Sequence, residues 1–247
     1  MLSKTHTKYI QSLQHKKFRD EMGLFLAEGP KVVMDLLNSR KFICKELFAQ
    51  ENWLQEQSKL LSSLCDTVIT PVEDFELQKI SSLSTAHSVV AVFEKRVQNF
   101  EINTTLKITL ALDTIQDPGN LGTIIRISDW FGIANIICSV GCADMYNAKV
   151  VQSTMGSLGR VNIIYTDLVE WLKENKKIKI YSASLEGEDV KKIGKLKEGI
   201  LIIGNEANGV SDEVMDLVNE KITIPKIGDA ESLNAAVAAG IILSHVK

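Results

Sequence analysis

Short apolar runs separated by stretches of helical period constrain this chain more than its composition does. From the middle onward they recur at Ile108–Leu112, Ile133–Val140, Val161–Tyr165, Ile178–Ala183, Ile200–Ile203 and Ile222–Ile224. They are continuous rather than alternating, the pattern of strands buried on both faces of a mostly parallel sheet. The segments between them, Leu121–Phe131, Ala148–Met155, Leu168–Glu174, Asp212–Val218 and Ser232–Val246, suit crossover helices, so this half is a βα series. Open sheets of this kind bind ligands in the loops beyond the carboxyl ends of their strands, which makes those loops the place to look for chemistry.

The first half is a smaller α/β pattern. Leu24–Ala27, Ile43–Ala49, Thr67–Thr70 and Ser88–Phe93 are expected strands, and Pro30–Leu37, Trp53–Leu64 and Val72–Ile80 are expected helices, with Pro30 and Pro71 placed at helix starts. The polar stretch Lys95–Thr105 breaks the pattern, and 247 residues suffice for two domains that each bury a core. The expected division is residues 1–96, a linker over 97–106, and residues 107–247.

Hydrophobic residues at 45 % and charged residues at 24 % fit a soluble protein, and no apolar run approaches the roughly 18 residues of a membrane span. The first residues carry no apolar core of a secretory signal, so a cytoplasmic location and no membrane partner are expected. Cys44, Cys65, Cys138 and Cys142 form no CxxC pair and have no His at ligand spacing, so reduced structural thiols are expected and a metal is not. The net charge is −3, but Met1–Arg19 holds five Lys or Arg and no acid, which leaves the remainder at −8. Such a run is either a solvated helix face or a phosphate contact.

Three loops carry the candidate chemistry. In the first, Asp113 to Gly122, Pro118 and Gly119 make a turn, and Arg126 follows one turn into the next helix. That Arg either faces an anion or forms a surface ion pair. The second reads Gly204-Asn205-Glu206-Ala207-Asn208-Gly209-Val210-Ser211. Glu206 sits where a strand ends and can accept hydrogen bonds, and Ser211 can cap the next helix. A plain capping turn explains Ser211 but not the Gly204 to Gly209 spacing. The third runs from Ile224-Pro225 to Glu231-Ser232-Leu233-Asn234 and into an Ala-rich helix, with Ser232 as an expected N-cap. Neither a dinucleotide fingerprint nor an ATP-binding P-loop is present.

Taken in this order, the three loops resemble the signature motifs of the SpoU/TrmH family, part of the SPOUT superfamily of RNA methyltransferases. Asn120, Gly122 and Arg126 match N-x-G-x-x-x-R, and Gly204, Asn205, Glu206 and Gly209 match G-N-E-x-x-G. Ile224, Pro225, Glu231, Ser232, Leu233 and Asn234 match I-P…E-S-L-N, with a further family-like stretch from Lys149 to Arg160. The resemblance spans roughly Lys107 to Lys247. Ala207-Asn208, Ser128 and Ala235-Ala236 depart from the usual residues. Less specifically, Lys16-Lys17-Phe18-Arg19 and Gly23 through Gly29 resemble an L30e-like substrate-binding domain.

The resemblance implies an α/β fold: a C-terminal trefoil-knotted methyltransferase domain with a parallel sheet, preceded by the smaller L30e-like domain. It implies transfer of a methyl group from S-adenosyl-L-methionine to a ribose 2′-hydroxyl of RNA, 23S ribosomal RNA ahead of tRNA, by a homodimer joined through the knotted domain. Implied catalytic residues are Arg126, Asn120, Glu206, Ser232 and Asn234. Implied cofactor contacts are Ala183, Gly204, Asn205, Gly209, Ile224, Pro225, Ser232 and Leu233; implied RNA contacts are Lys16, Lys17, Arg19, Glu28, Arg126 and Arg160. A guanidinium is a poor base, so Arg126 is assigned the developing alkoxide charge. An RNA-binding assembly factor that has lost catalysis, or a small-molecule α/β enzyme, are the alternatives. Cofactor binding and salt-dependent RNA affinity discriminate among them.

Overall fold

The computed structural model describes residues 1–96 and 107–247; the expected linker lies outside them. Their contacts divide into two compact units, one formed by 1–96 with 144–159 and the other by 107–143 with 160–247.

In the first unit the basic stretch folds as α1 (Lys4–Ser12) and α2 (Lys16–Met22). The sheet that follows is built from β1 (Leu24–Glu28), β2 (Cys44–Ala49), β3 (Val68–Pro71) and β4 (Val89–Glu94), in the order β1-β4-β2-β3. β4 is antiparallel to both β1 and β2, while β2 and β3 are parallel. Pro30 opens α3 (Pro30–Ser39), its fixed φ matching the first helical position. Pro71 does not open a helix. It closes β3, and α6 (Asp74–Ile80) starts later from a capping box in which Glu73 and Glu76 satisfy each other's backbone N–H. The expected helix over 53–64 is broken at Gln57 into α4 (Glu51–Glu56) and α5 (Ser58–Leu61). Ile10 and Leu13 carry the N-terminal segment onto the core of Leu26, Phe48, Leu77, Ile80, Val90 and Val92. Each such side chain contributes roughly 1.5–3 kcal/mol by leaving water.

Residues 144–159, distant in sequence, complete this unit with α8 (Ala148–Thr154) and a short 3-10 turn. Tyr146 packs at a tilt against Phe25 with ring centroids 4.7 Å apart, and its hydroxyl accepts from the Arg96 N–H. Burial pushes that phenol up to about 12, so it stays neutral. Gly156, at φ +90, lies so close to α3 that a Cβ would come within 2.4 Å of the Asp35 side chain.

The second unit is a sheet of six parallel strands among the described residues: β5 (Ile108–Leu112), β6 (Asn135–Ser139), β7 (Asn162–Thr166), β8 (Ile180–Asp189), β9 (Gly199–Ile203) and β10 (Glu220–Thr223). The order is β10-β8-β9-β5-β6-β7, every neighbouring pair parallel. β5 and β9 are buried along their whole length, the reason their sequences run apolar without alternation. The chain leaves β5 toward β6 and leaves β9 toward β10, in opposite directions. The loops after these two adjacent strands therefore meet at a topological switch point. No helix among the described residues is long and apolar enough to cross a membrane.

Candidate active site

α7 (Pro118–Trp130) begins just beyond β5. Asp117 caps it by accepting from the Asn120 N–H at 2.9 Å, and Pro118 takes the first helical position. The turn before it is held from several sides. Thr114 sits at φ +58, a conformation that a β-branched residue adopts only when its surroundings impose it. Its N–H donates to Ser139 Oγ (2.9 Å), its carbonyl accepts from Asn205 Nδ2 (2.9 Å), and its hydroxyl donates to Asp113 (3.0 Å).

Asn205 fastens the second loop to the first, because its Oδ1 also accepts from the N–H groups of Ala207 and Asn208. Gly204 permits this fold: a Cβ there would lie 2.3 Å from the Gly209 carbonyl carbon. Ser211 precedes α11 (Asp212–Met215), but its side chain does not cap it. Hydroxyl and N–H both donate instead to Asp113, which is only 4 % exposed. Asp113 is thus the buried acceptor that ties the β5 and β9 loops together, a role its position at a strand end did not announce.

The third loop ends at α12 (Ala235–Val246), and the N-cap is Asn234 rather than the expected Ser232. Asn234 Oδ1 accepts from the Ala236 and Val237 N–H groups while its Nδ2 donates to Asn120 Oδ1 at 2.8 Å. Asn120 Nδ2 in turn donates to Glu206. Three residues from three separate motifs therefore form one chain, Asn234 to Asn120 to Glu206. Arg126 is exposed further along α7, and no ion pair engages it among the described residues; Ser232 is exposed on the third loop. Ala183 and Ile224 are half-buried, and Pro225 and Leu233 are exposed.

Residues 225–233 make no backbone-to-backbone hydrogen bond among the described residues, and Ile227 and Leu233 stand exposed on them. Uncommitted amides and carbonyls beside apolar side chains, on a loop whose next residue, Asn234, is linked through Asn120 to Glu206, have the chemistry to hold a nucleoside edge and face. The donor set fits an adenosyl ligand.

Two expected RNA contacts need correction. Arg19 is 2 % exposed and its guanidinium is spent inside the first unit, on Asp144 (2.7 and 3.1 Å) and the carbonyls of Leu13 and Gln14. Glu28 is buried, accepting from Ser81 and Ser82. Neither can reach a ligand. Lys16 and Lys17 are exposed, and Arg160 is partly exposed while paired with Asp129 at 2.8 Å.

Residues 107–244, more than half of the chain, match the model of the SpoU rRNA Methylase family. The chain belongs to the SpoU rRNA methylase family. Residues 4–91 of this SpoU methylase match the MRM3-like substrate binding domain. An AdoMet-bound rRNA methyltransferase from Sinorhizobium meliloti is 30 % identical with a TM-score of 0.86, over 98 % of this chain and 95 % of that one. A TrmH family protein from Porphyromonas gingivalis is 33 % identical with a TM-score of 0.83, over 99 % and 97 %. The 23S rRNA (guanosine(2553)-2′-O)-methyltransferase RlmP of Bacillus subtilis (strain 168) is 29 % identical over 96 % of this chain and 94 % of its own.

Proposed function

We propose that this SpoU methylase transfers the methyl group of S-adenosylmethionine to a ribose 2′-hydroxyl of 23S ribosomal RNA, acting in the cytoplasm as a homodimer. The observation that carries the reading is the hydrogen-bonded chain of Asn234, Asn120 and Glu206, with Arg126 exposed on the helix that carries Asn120. The names of its relatives supply the RNA class. The trefoil knot implied by the family belongs to the same reading.

S-adenosylmethionine supplies an electrophilic methyl group on a sulfonium. The loops 204–209 and 224–233 would hold its adenosyl and methionine parts, with their backbone groups and Leu233 as the contacts they offer. Asn120 and Ser232 position the ribose. Glu206 is already committed to Asn120 and so orients the loop rather than taking a proton. A guanidinium is a poor base, so proton removal is not assigned to Arg126. Its fork holds the adjacent phosphate and stabilises negative charge as it develops on the 2′-oxygen. The proton leaves to phosphate or water. Lys16, Lys17 and Arg160 contribute phosphate contacts.

Dimerisation is supported by the outer surface of α7 and α12, which pack on each other and leave Trp130 84 % exposed and Val237 half-exposed.

Labelled methyl transfer to unmodified 23S rRNA and to tRNA, followed by alkaline hydrolysis, tests the reaction. Label in an alkali-resistant dinucleotide from 23S rRNA is expected. Label in mononucleotides means base methylation and overturns the 2′-hydroxyl; label on tRNA alone overturns the substrate class.

A further inference from the structure

The amino-terminal edge of the six-stranded sheet, opposite the site loops, gathers lysines from three separate stretches of sequence. Lys107 immediately precedes β5, and its carbonyl accepts from the Gly199 N–H at 3.2 Å. Lys195 and Lys197 flank Leu196, just before β9, where the Leu196 N–H donates to the Val246 carbonyl at 2.8 Å. Lys176 and Lys177 lie in the turn between α9 (Leu168–Glu174) and β8, closed by the Ile178 N–H on the Asn175 carbonyl at 2.9 Å. All five are exposed, and no ion pair engages them among the described residues. Lys179 stands beside them and is neutralised by Glu220 at 2.5 Å. With Glu174 and Glu198 the edge has six lysines against three acids in a chain whose net charge is −3.

Like charges drawn together by the fold repel one another, and an anionic partner relieves that cost. Lysine is a flexible point charge suited to phosphate rather than to reading base edges, and the ring that lies under Lys179, Tyr181, is buried and does not offer a face to stack a base. Because all six strands run the same way, this edge lies a full strand length from the site loops, about 16 Å for five residues.

We propose that this edge is a second RNA-contact surface, holding the substrate's phosphodiester backbone at a point remote from the nucleotide that is methylated. The proposal rests on the RNA-methyltransferase reading and adds to it a sequence-independent anchor on the methylase unit itself. It makes affinity for long RNA depend on a surface that plays no part in methyl transfer.

The test compares the full-length protein with a variant combining Lys176→Gln, Lys177→Gln, Lys195→Gln and Lys197→Gln, four exposed positions whose loss leaves the core intact. Affinity for an unmodified 23S rRNA transcript is measured across a salt series, alongside kcat and KM for methyl transfer. Each lost phosphate contact lowers the slope of log affinity against log salt by about 0.7–0.9, so a fall of about three is expected. KM for RNA should rise about tenfold or more, with kcat at saturating RNA and S-adenosylmethionine affinity unchanged. If the unaltered protein methylates RNA and the variant keeps its salt slope and KM, the edge is only a solvated face and the proposal is overturned. If the unaltered protein neither binds nor methylates RNA, the RNA reading itself fails and takes this surface with it.

Discussion

Arg126 is the residue on which the proposed chemistry turns, and its two substitutions separate charge from geometry. Arg126→Ala removes both, and the loss of one donor aimed at developing charge costs about 10²–10³ in kcat. Arg126→Lys keeps the charge but not the planar fork, so kcat should still fall by about tenfold or more. Arg126 is exposed and no ion pair engages it among the described residues, so thermal stability and S-adenosylmethionine binding should hold in both variants. Near-full activity in Arg126→Lys, read by single-turnover methyl transfer, would sink the bidentate role. Asn120 and Asn234 entered through the resemblance to the SpoU/TrmH motifs, and only Glu206 was also marked by its own place at a strand end. Arg19 was misassigned because a basic run looks the same whether its members face water or a buried carboxylate. Its partner Asp144 is 125 residues away, beyond any local pattern. Asp113 was missed for the same reason: its partner Ser211 becomes a neighbour only when β5 and β9 pair.

Among the elements, α12 couples helix capping to the site. Asn234 Oδ1 caps the helix while Nδ2 reaches Asn120, and Asn234→Asp keeps the first function and abolishes the second. A carboxylate is at least as good an N-cap and suits the helix dipole, so stability should change by less than about 0.5 kcal/mol. Activity should fall by about tenfold, the scale of one hydrogen bond lost from a positioned group. Asn234→Ala, which loses the cap as well, should cost about 1 kcal/mol in urea unfolding. Equal unfolding midpoints for the Asp and Ala variants would show that the cap carries no stability. The elements themselves were largely legible, since continuous apolar runs mark buried parallel strands wherever they occur. What was not legible was their ends. β8 continues to Asp189, well past Ala183, because its exposed half pairs with β10 across a register shift rather than burying apolar side chains. α12 starts at Ala235 because Asn234, not Ser232, meets its first free N–H groups.

At the scale of the whole chain, the first unit borrows residues 144–159 from the stretch that matches the SpoU methylase model, so its stability rests on a segment encoded far from it. The ion pair of Arg19 and Asp144 shows how. Arg19 is almost fully buried, whereas the Asp144 side chain keeps some exposure and also accepts from the Tyr146 N–H at 3.0 Å. Removing the acid strands a buried guanidinium, a loss of about 3–5 kcal/mol when one partner of a buried pair is deleted. Removing the base instead, as Arg19→Met, replaces a buried charge with an apolar chain of similar length and leaves a carboxylate that water and a backbone amide still serve. Asp144→Ala should therefore destabilise the full-length protein clearly more than Arg19→Met in urea unfolding, and the reverse order would mean that Arg19 is not the group paying for burial. The same logic reaches the isolated fragment 1–96. Without Asp144 to neutralise Arg19 and Tyr146 to cover Phe25, it should unfold at markedly lower urea than the first unit does within the whole chain, followed by amide exchange at Phe25 and Leu26.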